Sequence, residues 1–279
     1  MYDYGYLNLC DLDNQTIKEI CDGIPPRTDT VSIDEISTAI KSINTGKAED
    51  IFGMFNREYT VAGNEFLNHL YTLIYYIFSN RLIPDVIKTG LLSPVYKNKG
   101  DNHQSKNYRG IVVLPVFVKI IEYIARTDLK TLLLQNQSVL QRGFTENTSP
   151  TNAALIVEEL YREFEDKNKP FYLALLDAKS AFDVVVLSIL FRKLYMLGIN
   201  PATWTVVDEL HRNTRSCVKW NDCISDEINV QQGVKQGGLL SADLYKLYIE
   251  DLLHYPYLPG NGHWGTYRRY YRERHSLMI

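Results

Sequence analysis

Cysteine is scarce in this chain, and its placement excludes more than it suggests. There are four, Cys10, Cys21, Cys217 and Cys223. No pair has Cys-x-x-Cys spacing and no histidine pair accompanies them at zinc-ligand distance, so a structural zinc is not expected. Scattered cysteines in a chain of this length point to reduced, intracellular thiols rather than a disulfide framework. The first residues, MYDYGYLNLCDLD, have neither a basic start nor an apolar run, so no signal peptide is expected. The expectation is an intracellular chain, in nucleus or cytoplasm. The longest apolar stretch, near Leu67–Phe78, is broken by His69, Thr72 and several tyrosines, too short and too polar to span a bilayer. No membrane partner is therefore expected. Internal repeats and low-complexity linkers are missing too. So is a P-loop: Gly46-Lys47 is not preceded or followed by the required glycine and hydroxyl spacing.

Nor is there an overall excess of positive charge. The formal net charge is −3, unlike many nucleic-acid enzymes. The distribution says more than the sum. Residues 1–60 carry 11 acidic and 5 basic side chains, whereas residues 88–130 carry 8 basic and 3 acidic. A local basic region is what phosphate contacts require, although it also describes a solvated lysine-rich face. The apolar content of 45% and charged content of 23% are those of an ordinary globular protein.

Periodicity predicts a mixed α+β chain. Residues 1–30 read as irregular. Ser32-Ile33-Asp34-Glu35 fits a capping box, opening a helix with Ile33, Ile36, Ile40 and Ile43 on one face. A second helix spans about Asn64–Ser79 with Phe66, Leu70, Leu73, Ile74 and Ile77 inward. Leu91–Tyr96 reads as a strand, Lys97–Lys106 as a polar loop and Val112–Leu114 as a short extended piece. Pro115 suits the first turn of a long helix striped by Val118, Ile121, Ile124 and Leu129. Further helices are expected over about Ser149–Glu165, Leu187–Leu197, Pro201–Thr214 and Leu239–Leu253, with a hairpin pair at Ser216–Trp220 and Glu227–Val230. Phe171–Leu176 is a continuous apolar run bounded by polar residues, the pattern of a buried strand. Residues 254–279, rich in Tyr, Arg, Gly and His, carry no period. They read as an irregular tail or as an Arg/Tyr patch that could stack on nucleic acid.

Two stretches carry candidate chemistry. Asp177 follows the apolar run directly, and a carboxylate there is costly unless exposed, paired or holding a metal. It is either a metal ligand or a cap for the next helix, and Asp183 is open to the same second reading. In Gln232-Gly233-Val234-Lys235-Gln236-Gly237-Gly238-Leu239-Leu240-Ser241, glycines ahead of a helix permit close backbone approach, and the helix start offers free N–H groups. An ordinary glycine turn is the plain alternative.

Several stretches, in order, resemble reverse transcriptases of non-LTR (LINE-type) retrotransposons. Ser93-Pro94-Val95-Tyr96-Lys97-Asn98-Lys99-Gly100-Asp101 followed by Asn107-Tyr108-Arg109-Gly110-Ile111 is similar to the family's fingers segment, with Gly110 where proline is usual. Leu114-Pro115 with Lys119-Ile120-Ile121-Glu122 resembles the helix that follows it. Gln141-Arg142-Gly143-Phe144 resembles the Gln-x-Gly-Phe element. Asp177 to Asp183 resembles Asp-x-x-x-Ala-Phe-Asp. Lys235 to Ser241 resembles Arg-Gln-Gly-x-x-Leu-Ser-Pro, with Ala242 where proline is usual. Gly46-Lys47-Ala48-Glu49-Asp50 is a weaker match to an upstream segment.

The resemblance implies a partial right-hand polymerase with fingers and an incomplete palm and no thumb. It divides into an acidic segment 1–60, a fingers-like region 61–169, a partial palm 170–253 and the tail 254–279. It implies two-metal nucleotidyl transfer that copies an RNA template from a DNA primer using a deoxynucleoside triphosphate (dNTP). Asp177 would hold both Mg²⁺ ions, assisted by the carbonyl of Ala178. Lys97 and Arg109 would contact the triphosphate, and Phe182 would lie under the sugar. Gln236 and Gly237 would touch the template–nucleotide pair, and Lys99, Lys106 and Lys235 the nucleic acid. The family's Tyr-x-Asp-Asp turn does not occur. After Ser241 the acidic residues are Asp243, Glu250, Asp251 and Glu273, and Glu250-Asp251 read as solvated helix charges. The expectation is a chain cut off before that motif, with an open edge on the Phe171–Leu176 strand, inactive alone. The abrupt change at residue 254 fits a frameshifted or mis-spliced copy. The competing expectation is a non-catalytic relic that binds nucleic acid or protein.

Overall fold

The computed structural model describes residues 14–24 and 31–254. The helices are α1 (Asn14–Gly23), α2 (Ile33–Ser42), α3 (Asn56–Val61), α4 (Asn64–Asn80), α5 (Val116–Asn136), α6 (Pro150–Asp166), α7 (Leu187–Met196), α8 (Pro201–His211) and α9 (Ser241–His254). The strands are β1 (Thr89–Tyr96), β2 (Tyr108–Val113), β3 (Arg215–Trp220), β4 (Cys223–Ile224) and β5 (Ile228–Asn229). They form one mixed sheet. β2 and β1 are antiparallel, β1 and β3 parallel, and the short β4 and β5 each pair antiparallel with β3.

Local chemistry sets most helix starts. Ser32 and Glu35 form the reciprocal capping box, at 3.1 and 2.7 Å. Ser149 Oγ accepts the Asn152 N–H ahead of α6, and Asn200 accepts the Ala202 N–H ahead of α8, each followed by proline in the first turn. Helix α5 lacks a cap of its own, since Pro115 precedes it. Its first N–H, on Val116, donates instead to Asp50 Oδ2 at 2.9 Å. Asp50 Oδ1 also accepts the N–H groups of Phe52 and Met54. The weakly matching Gly46–Asp50 stretch thus fixes the entry of α5.

The core gathers around α5 and α8. Val118, Ile120, Ile121, Ala125 and Leu129 are buried, as are Trp204, Val206 and Val207. A helix apolar on nearly every side must be enclosed. Trp204 also donates from Nε1 to the Phe191 carbonyl at 2.9 Å, tying α8 to α7.

Four expectations are corrected. Residues 14–23, read as irregular, form α1; only Ile17 and Cys21 point inward, a stripe too short to register as a period. Ile33 is exposed because the first helical turn overhangs the core. Phe66 and Leu73 are partly exposed and line an open apolar pocket of about 420 Å³ with Phe52 and Val86. Most consequentially, Phe171–Leu176 is not a buried strand. It pairs with no strand, and Tyr172, Leu175 and Leu176 are 82%, 85% and 92% exposed. An apolar run becomes a strand only where another backbone supplies hydrogen bonds, and no described strand pairs with it; only its first ring, Phe171, packs against Tyr161 and Phe164 of α6, at 5.9 and 5.6 Å. Of the tail, residues 255–279 lie outside the described residues.

Candidate functional site

The loop between β5 and α9 is stitched on three sides. The N–H groups of Gly233 and Val234 donate to the carbonyls of Val185 and Phe182 at 3.0 and 2.9 Å. The Gln236 carbonyl accepts the Val112 N–H at 2.7 Å, covering the outer edge of β2. The Leu239 N–H donates to Glu122 Oε2 on α5 at 2.8 Å, and Ser241 Oγ donates to the Lys235 carbonyl at 2.6 Å. Two glycines make these approaches possible. A Cβ on Gly233 would meet the Phe182 and Asp183 carbonyls at 2.9 Å, and one on Gly237 would meet the Val112 carbonyl at 2.4 Å. Both have positive φ, +91° and +118°.

This stitching brings distant sequence together. Phe182 stacks on Tyr245 of α9, with ring centroids 5.0 Å apart, and meets Phe144 edge-on at 5.7 Å. Gln236 donates from Nε2 to Asp183 Oδ1 at 3.3 Å. Phe182, Asp183, Gln236 and Gly237 therefore form one cluster beside β2. Lys97, Lys99, Lys106 and Arg109 belong to the β1–β2 hairpin and are exposed. Lys97 Nζ donates to the Lys106 carbonyl at 2.8 Å, and Arg109 stands opposite Val95 on β1. Asp177 and Ala178 lie exposed at the end of the unpaired segment, outside the cluster.

Lys235 faces inward. Its ammonium donates to the Lys88 carbonyl at 2.9 Å. Burial pushes its pKa down from 10.5 to about 8, partly offset by Glu122. Burial likewise raises Glu122 from 4.5 to about 7, opposed by the Leu239 N–H, Lys235 and Lys119. The motif resemblance assigns Glu122 no role of its own. Its signal is a charge on a long helix striped with buried apolar residues, where an unpaired carboxylate is costly. Glu250 is also corrected: it is buried and accepts the Ser138 N–H at 2.5 Å, while Asp251 pairs with Lys193 at 2.8 Å.

Residues 96–257, more than half of the chain, match the family described as "Reverse transcriptase (RNA-dependent DNA polymerase)". The chain belongs to the reverse transcriptase family. It is similar to the retrovirus-related Pol polyprotein from type-1 retrotransposable element R2 of Popillia japonica, 23% identical over 166 residues, covering 59% of this chain and 23% of that protein. It is also similar to the transposon TX1 uncharacterized 149 kDa protein of Xenopus laevis, 23% identical over 248 residues, 85% of this chain and 19% of that one. A third relative is the type-2 retrotransposable element R2DM polyprotein of Drosophila melanogaster, 27% identical over 148 residues, 53% and 14% of the two chains. All three relatives are named for transposable elements. The chain spans less than a quarter of the length of each of these relatives.

The divalent metal that this family uses has a demanding donor set. Mg²⁺ takes six oxygens in near-octahedral geometry, and a metal pair needs several carboxylates. Among the described residues no three His, Cys, Asp or Glu side chains gather closely enough to hold an ion. Asp177 projects from the unpaired segment, and Asp183 already accepts from Gln236. The donors present in the described residues do not fit a metal pair.

Proposed function

We propose that this chain is the template- and nucleotide-handling part of a LINE-type reverse transcriptase, and that by itself it does not polymerise DNA. The observation that carries the reading is the joining of Phe182–Asp183 to Gln236–Gly237 along the edge of β2. These stretches lie far apart in sequence, and a fold that merely needed a turn would not require both to meet. In this reading residues 61–169 act as fingers and 170–253 as an incomplete palm, following the acidic segment 1–60, with no thumb.

The Phe182 ring, held flat by Tyr245, forms the floor on which a nucleotide sugar rests. Gln236 and Gly237 present side-chain amide and backbone to the base pair, while Lys97 and Arg109 draw in the triphosphate by charge. Lys99 and Lys106 hold the RNA template and DNA primer electrostatically. Inactivity follows from the carboxylates. The described residues do not supply the oxygen ligands that two Mg²⁺ ions require, and no Tyr-x-Asp-Asp occurs in the sequence.

The test is primer extension on an RNA template with Mg²⁺ and dNTPs, run beside Asp177→Ala, with template–primer binding followed by anisotropy at several salt concentrations. Binding that weakens with salt, without extension, is the expected result. Extension by the unmodified chain but not by Asp177→Ala would overturn the inactivity. Absence of any nucleic-acid binding would overturn the whole reading.

A further inference from the structure

A group of aromatic rings sits at the far end of the sheet, apart from the Gln236 cluster. Tyr96 and Tyr108 are directly opposed across β1 and β2, so their side chains share a face. Leu92 is opposed by Val218 of β3. Alternation then puts Pro94, Tyr96 and Trp220 on that same face. Near α5 this face is aliphatic, with Val112 and Leu92 packed in the core. Beyond the helices it becomes aromatic. Trp220 reaches over the small Pro94 position to meet Tyr108, ring centroids 5.4 Å apart at 64°, and Tyr108 meets Tyr96 at 5.4 Å and 49°.

Folding does not account for the outermost ring. The tyrosines are anchored, Tyr108 donating to the Asn102 carbonyl at 2.9 Å and Tyr96 to that of Gly100. Trp220 is 48% exposed at the strand end and is not part of the core. Beside it, the turn from Lys97 to Asn107 carries three lysines and one acidic residue, Asp101. Asp101 accepts from the His103 N–H and the Gln104 amide. An exposed flat ring, held at its edge by Tyr108, which itself bonds into this lysine-bearing turn, with Asp222 as the acidic residue of its own turn, suits a ligand with a flat apolar face and negative charge at regular spacing.

We infer that Trp220, backed by Tyr108 and set beside the turn that carries Lys97, Lys99 and Lys106, is a stacking platform for an unpaired base of single-stranded nucleic acid. A duplex hides its base faces and would use the lysines alone, so the ring selects for single strands. The inference rests on the nucleic-acid reading above, but it names a surface distinct from the Gln236–Phe182 cluster.

Titration of the whole chain against fluorescein-labelled oligouridylate, read by anisotropy, tests it. The comparison ligand is the same strand annealed to oligoadenylate. Trp220→Ala should weaken single-strand binding by about five- to a hundredfold, the range for loss of one aromatic stack. Trp220→Phe keeps a π face and should stay within about threefold of the unmodified chain. Trp220→Leu keeps apolar contact with Tyr108 without a π face and should behave like alanine, which separates stacking from packing if the alanine variant folds poorly. Duplex binding should be equal in all four proteins. Single-strand binding by Trp220→Leu as tight as the unmodified chain would overturn the platform alone. So would equal losses in the phenylalanine and leucine variants, or a parallel loss for duplex. An unmodified chain that binds neither ligand would overturn both this inference and the proposed function.

Discussion

Alanine at position 237 would place a methyl group where the structure has no space. The added Cβ would lie 2.4 Å from the Val112 carbonyl oxygen, a backbone atom that no side-chain rotation can move. Loop and strand would have to separate by roughly 1 Å to recover an ordinary contact. The 2.7 Å bond from the Val112 N–H to the Gln236 carbonyl lies on that path. Loss of one such buried bond costs about 1–3 kcal/mol when the donor is left unsatisfied. Holding an L-residue at φ +118° adds roughly 1–3 kcal/mol more. Gly237→Ala should therefore cost on the order of 2–6 kcal/mol, and for a chain of this size the midpoint of thermal unfolding should fall by on the order of 10 °C. Circular dichroism melts of the purified variant measure this. Gly23→Ala is the control: nothing lies within 4 Å of its Cβ position, and its stability should stay within about 0.5 kcal/mol. A Gly237→Ala protein that melts with the unmodified chain would refute the contact and the argument that the loop is stitched to β2.

The Glu122 carboxyl gives a pH test. Because its folded pKa is raised from 4.5 to about 7, its contribution to stability is full below about pH 4.5 and is lost as pH rises through about 7. Lys235, lowered from 10.5 to about 8, contributes with the opposite sense, lost as pH falls from above 10.5 through about 8. Urea unfolding at a series of pH values should show Glu122→Gln gaining on the unmodified chain as pH rises through 7; a constant difference across the series would count against the buried carboxyl. Leu176→Lys tests the unpaired segment. At 92% exposure the leucine should be replaceable with a stability change within about 0.5 kcal/mol and with less aggregation on concentration. A loss of several kcal/mol would mean that the segment is packed in solution.

Features set by neighbouring residues are legible in the sequence. Ser32, Ser149, Asn200 and Pro115 mark helix starts through chemistry confined to one turn, and α2, α5, α6 and α8 begin where those residues put them. The stripe of Val118, Ile121, Ile124 and Leu129 is buried as its spacing required. The order of the motifs pointed to the family, because residue type and spacing carry that information without any fold.

Tertiary structure decided what depends on distant partners. Phe171–Leu176 has the composition of a strand, yet a strand is a relation between two backbones, and the described residues supply no second one. Lys235 has the composition of a phosphate contact, yet its ammonium turns inward to Lys88 beside the buried Glu122. Glu122, Asp50 and Glu250 each satisfy a backbone N–H more than 60 residues away, a role that no local pattern encodes. Trp220 joined Tyr108 only because β1 runs between their strands in that register. Periodicity and caps are properties of neighbouring residues, so the sequence by itself determined them. Pairing, burial of charge and the meeting of rings depend on which segments the fold brings together.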